Sequence, residues 1–131
     1  MKTKKKTKVL IIILVFVLVI FGGGALFIGL GLNMKTAVIK NIDFSKLPDG
    51  TYTGKLTGSR FANTAEVTVS SGKVTDIKLV KDMVVVIPNT SSTIFKEVID
   101  NQSLDVDCVT GATVSSKAYL KSLEDALNGK Q

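Results

Sequence analysis

The amino-acid sequence predicts an α+β domain, a small antiparallel β-meander with two helices, preceded by one transmembrane helix. Three observations carry that expectation. Val9 to Leu32 is a run of 24 positions with no charged residue and no Asn, Gln, Ser or Thr. Between Tyr52 and Val80 the apolar residues recur with period two. After Pro88 the spacing changes to that of a helix.

The apolar run comes first in the chain. At about 1.5 Å of rise per residue it covers a hydrocarbon core about 30 Å thick. Gly22, Gly23, Gly24, Gly29 and Gly31 would weaken a soluble helix, yet glycines are tolerated in membrane spans. A cleaved signal peptide is the alternative reading. Its apolar region would be shorter, about 7–15 residues, and would end in a small-x-small site that is not evident here. No cysteine stands at the end of the run to suggest lipoprotein processing.

Charge agrees with an anchor. The net charge is +6, but five of the 17 basic residues, Lys2, Lys4, Lys5, Lys6 and Lys8, precede the run. Beyond it 12 basic residues face 11 acidic ones. The basicity is a topology signal that keeps the lysines in the cytoplasm. It is not the basic face that a nucleic-acid partner needs. The expected organisation is a cytoplasmic tail over 1–8, an anchor in the lipid bilayer over 9–32, a juxtamembrane linker over 33–47 and an extracytoplasmic domain over 48–131.

The domain elements follow in order. Pro48, Asp49 and Gly50 mark a turn at its boundary. Tyr52, Gly54 and Leu56 alternate with polar residues as a first strand, and Ala65, Val67 and Val69 do so as a second. Ser70 to Lys73 turns the chain into a third strand, Val74 to Val80. Met83 to Ile87 is β-branched and reads as a fourth, more buried strand that Pro88 ends. Ser91, Ser92 or Thr93 can cap a helix with Ile94, Phe95, Val98 and Ile99 on its inner stripe. A second helix is expected from about Ser116 to Leu127, burying Tyr119, Leu120, Leu123, Ala126 and Leu127.

Between the helices lies "DCVTGATVSS", with Thr110, Thr113, Ser115 and Ser116 crowded around Gly111 and Ala112. One hydroxyl suffices to cap a helix, so four are a surplus. Free N–H groups at a helix start, with the positive end of its dipole, suit an anion such as phosphate. Plain capping is the competing account of the same residues. Cys108 is the single cysteine and the chain has no histidine. That combination argues against zinc, a Ser-His-Asp triad and haem ligation, and leaves Cys108 as a half-buried apolar side chain.

The motif Asp107, Thr110, Gly111, Ala112 and Thr113, followed by Ser115 and Ser116, resembles the signature of the FMN-binding domain family. "DGTYTG" at Asp49 to Gly54, "GKVTDI" at Gly72 to Ile77, "IPN" at Ile87 to Asn89, "NQS" at Asn101 to Ser103 and "AYLKSLEDAL" at Ala118 to Leu127 extend the resemblance in order. It implies FMN joined through its phosphate to the Thr113 hydroxyl by a dedicated flavin transferase. Asp107 matches the acidic position before the attachment motif, and Ser115 stands where Thr is commoner. The remaining hydroxyls would cap the helix and bond the phosphate. The resemblance further implies an electron carrier, rather than a complete enzyme, between a membrane donor and an external or protein acceptor. A noncovalent flavin sensor or an interaction module is the alternative. Tyr52, Phe61 and Met83 are candidate ring neighbours, with ordinary packing the competing role of each.

Overall fold

The computed structural model describes residues 7–20, 34 and 36–128. The chain divides into two compact units, Met1–Asn33 and Met34–Gln131. In the first unit residues 7–20 are helical, and every apolar side chain from Val9 to Ile20 is exposed. The expected span over 9–32 continues outside the described residues. Among the described residues no helix is long and apolar enough to cross a membrane.

The second unit is α+β. Strands β1 (Gly50–Leu56), β2 (Asn63–Ser70) and β3 (Lys73–Lys81) form an antiparallel meander in the order β1-β2-β3. Ala65, Val67 and Val69 of central β2 are buried and their alternate neighbours are half-buried, the period-two pattern expected of them. The β2–β3 hairpin turns on Ser71 (φ 53°) and Gly72 (φ 71°). Positive φ at both central residues is the two-residue turn whose twist matches that of the strands.

Counting the amino-terminal helix as α1, the two domain helices are α2 (Thr90–Asn101) and α3 (Thr113–Leu127). Helix α3 packs on β1 and β2, while α2 packs on β3 and α3. A stripe of small residues at i, i+4 and i+8 (Ala118, Ser122 and Ala126) is buried on α3. Its Ser122 and Ala126 meet Gly54 of β1, which pairs with buried Ala65 of β2. A Cβ built on Gly54 would lie 1.9 Å from the Ser122 carbonyl oxygen and 2.4 Å from the Ala126 nitrogen. Small side chains therefore let the helix backbone rest almost on the sheet. Phe95 of α2 meets Tyr119 of α3 edge to face, with ring centroids 5.8 Å apart.

Three expectations need correction. Met83 to Ile87 forms no strand: Met83 is buried, but Val84 to Ile87 are exposed, Val84 to 83%. Asp82 accepts a hydrogen bond from Tyr119 Oη at 2.6 Å, and Val84 N–H donates to the Arg60 carbonyl at 3.2 Å. These bonds draw the chain away from the sheet, so tertiary context overrides β-propensity. Helix α2 starts at Thr90, with Asn89 as its N-cap in a left-handed conformation, and none of the three hydroxyls forms the cap. The stretch over 33–47 is also more than a spacer. Ile42, Phe44 and Leu47 join the core, and Asn41 Oδ1 accepts from Leu104 N–H at 3.1 Å.

Tyr119 has a consequence for stability. Burial, reinforced by the Asp82 carboxylate, raises its phenol well above the usual 10.0. The neutral form is thus favoured by folding. Its contribution is complete below about pH 10 and is lost as pH rises through the folded value. The urea midpoint of the full chain in detergent is expected to fall above about pH 10, and to fall less steeply for Tyr119→Phe. Equal alkaline slopes for the two proteins would disprove this role.

Candidate functional site

The loop before α3 is a built turn. Ala112 N–H donates to the Val109 carbonyl at 2.9 Å, with Gly111 in the third position at φ 78°. That conformation is the one a type II turn reserves for glycine. Nothing lies within 4 Å of a Cβ placed on Gly111, so the requirement is conformational and not one of space.

The helix then begins three residues earlier than its sequence pattern suggests, at Thr113. Its N-cap is Ala112, with no side-chain cap bond. The first amides of any helix lack an intrahelical acceptor; here no hydroxyl at the cap position takes them. The expected capping role therefore fails, because all three downstream hydroxyls sit inside the first turn. Ser116 instead reaches back, its Oγ accepting from Val109 N–H at 3.0 Å. It is fully buried and clasps the loop onto the helix.

A cleft of about 400 Å³ opens at this helix start. One part of its lining is the motif itself, Gly111, Ala112, Thr113, Val114 and Ser115; the other is Arg60, Phe61 and Ile87. Its volume falls within the range of small-molecule sites, roughly 300–1,000 Å³. Its lining combines the hydroxyls of Thr113 and Ser115, the guanidinium of Arg60 and the apolar side chains of Phe61, Ile87 and Val114. Thr113 is half-buried, Ser115 is nearly closed off at 4% exposure, and the Arg60 guanidinium carbon lies 4.8 Å from the Phe61 ring centroid.

Of the residues expected at the site, Gly111, Ala112, Thr113 and Ser115 come together in the cleft lining. Asp107 and Thr110 are exposed and outside it, and Ser116 lies buried behind it. Phe61 lines the cleft. Tyr52 does not, its Oη donating to the Pro48 carbonyl at 2.6 Å, and Met83 belongs to the core. Cys108 lines a separate hollow of about 300 Å³ with Thr36, Leu104, Asp105 and Lys117. Arg60 and Ile87 are lining residues that the sequence reading missed. The basic–aromatic pair "RF" just after Gly58 and Ser59 was the available signal for the first.

The profile described as the FMN-binding domain matches residues 53–128, more than half of the chain. No curated protein matches the chain itself. The matched region contains every residue of the cleft lining, from Arg60 to Ser115.

Proposed function

This chain belongs to the FMN-binding domain family, and on that premise we propose that it is a membrane-anchored, extracytoplasmic electron carrier whose FMN is joined by a phosphoester to Thr113. One observation carries the choice of residue. Thr113 is the motif hydroxyl that both lines the cleft and keeps partial access to solvent; Thr110 lies outside the lining, and Ser115 and Ser116 are buried.

The residues suit the cofactor. Backbone amides of the first α3 turn and the Arg60 guanidinium favour an anion, while Phe61 and Ile87 offer apolar contact. A flavin transferase would install the group from FAD. In that reaction the Thr113 oxygen would bond the flavin-side phosphorus as the pyrophosphate P–O bond breaks, and AMP would leave, with the hydroxyl proton passing to the released AMP or to water. When bound, the isoalloxazine supplies reversible electron storage; the protein's part is to hold it and tune its potential. A covalent tether keeps the flavin at high effective concentration where a free one would diffuse away. In this reading the chain relays electrons between a membrane donor and an external or protein acceptor.

The anchor part rests on the lysines before residue 9 and on the continuous exposed apolar side chains of residues 9–20. An apolar surface that extended is unusual on a soluble monomer. External protease on intact cells is expected to remove the domain and leave a short amino-terminal stub in the membrane. A protected domain would reverse the topology.

Coexpression with a flavin transferase tests the cofactor. The full chain is expected to gain the mass of FMN less one water and to stay yellow after acid precipitation. Colour released by acid would support a noncovalent flavin module instead. A colourless chain would leave an interaction domain.

A further inference from the structure

The cleft brings one formal charge to the motif. Among its described lining residues only Arg60 is ionised at neutral pH. It is half-buried in a turn of defined geometry, where Ala62 N–H donates to the Ser59 carbonyl at 3.1 Å and Phe61 N–H donates to Ser59 Oγ at 3.2 Å. The Arg60 carbonyl accepts from Val84 N–H at 3.2 Å, tying this turn to the segment that leads to Ile87. Its guanidinium rests 4.8 Å from the centroid of buried Phe61. A surface arginine kept for solubility needs none of these supports.

The ligand chemistry follows from the neighbours. A helix start attracts an anion only modestly, because the dipole is a partial charge. A guanidinium adds a full charge and a planar fork of donors that matches two oxygens of one phosphate. The stacking on Phe61 limits the side-chain freedom that binding would otherwise have to remove.

We propose that Arg60 is the counter-ion of the flavin phosphate, pairing with the non-bridging oxygens of the group that Thr113 carries. This rests on the flavin reading of the cleft and adds a residue to it. Arg60 makes the site selective for flavin phosphates over the uncharged riboflavin, and Phe61 holds it ready.

The test uses the full chain in detergent, without transferase, and compares binding of free FMN and free riboflavin by flavin fluorescence. The wild type is expected to prefer FMN by about tenfold or more, the size of one charge-assisted contact. In Arg60→Gln the two affinities should converge through loss of FMN binding alone, with riboflavin unchanged. Arg60→Lys keeps the charge without the fork and should fall between them. It also answers the question if Arg60→Gln fails to fold. Raising the salt should erode the FMN preference of the wild type more than that of Arg60→Gln. An unchanged preference in the variants, an equal loss of both ligands, or a wild type with no preference would each overturn the proposal. The covalent reading fails separately: a wild type that never gains the FMN mass sinks the phosphoester, while the FMN-to-riboflavin ratio still decides on Arg60.

Discussion

Gly54→Ala is expected to leave the domain without a stable fold. The added methyl would have to occupy space 1.9 Å from the Ser122 carbonyl oxygen, 2.4 Å from the Ala126 nitrogen and 2.7 Å from the Ala126 Cβ. Two of those three atoms are helix backbone and cannot swing aside as a side-chain tip could. Relief requires lifting α3 from β1 and β2, against which it packs with Ser122 and Ala126 buried at Gly54. Overpacking that moves backbone costs about 3 kcal/mol or more, a large part of the margin of a small domain. Thermal melting of the full chain, followed by circular dichroism, should show a strongly lowered or absent transition. Gly58→Ala is the control. Its Cβ would meet nothing within 4 Å, and φ of 81° leaves only backbone strain of about 1–2 kcal/mol. A Gly54→Ala protein that melts with the control would mean that α3 is not seated as described.

Thr113→Val should abolish covalent flavin while sparing the fold. Valine keeps the size and β-branching of threonine and removes the oxygen that forms the ester. Thr113 is half-buried at the first position of α3, so its hydroxyl adds only about 0.5–1.5 kcal/mol as a hydrogen bond. Coexpressed with a transferase, the wild type is expected to gain FMN less one water and to fluoresce in a denaturing gel. Thr113→Val should show neither. Thr110→Val should keep the signal, since Thr110 lies outside the cleft lining. Ser115→Ala should keep at least part of it. A folded Thr113→Val protein that still carries the added mass would place the ester on another hydroxyl, with Ser115 first in line as the other hydroxyl in the lining.

The two variants act at opposite ends of α3, and their contrast reflects what that helix does. Its middle and carboxyl-terminal half carry Ala118, Ser122 and Ala126 against the sheet, where volume is critical. Its first turn carries Thr113 at the edge of a cleft, where volume is tolerated and chemistry is specific. Ser116 joins the two functions by holding the Val109 amide, so the motif loop moves with the helix.

Much of this was legible along the chain. Ala65, Val67 and Val69 alternate because one face of a half-buried strand must be apolar. Ser71 and Gly72 announce a tight hairpin because few residue pairs accept positive φ twice. The inner stripes of α2 and α3 follow the helical repeat, and the crowding of Thr110, Thr113, Ser115 and Ser116 was visible without any structure. All of these are interactions between near neighbours or repeats of fixed period, so the order of residues alone determines them.

Other features depended on residues far apart in the chain. Met83 to Ile87 has the composition of a strand, yet the bond from Tyr119 to Asp82, 37 positions away, helps turn it into a loop. Ile42, Phe44 and Leu47 follow no period, and they enter the core because the folded sheet and helices leave an apolar surface there for them to cover. The division of the hydroxyls, with Thr113 at the cleft and Ser116 behind it, turned on where α3 begins by a few residues. Arg60 reaches the site from a turn more than fifty residues before Thr113. Local sequence determined which segments would be strand and helix. Only tertiary packing decided which loops meet at the α3 start, because such contacts form between surfaces that exist only once the chain has folded.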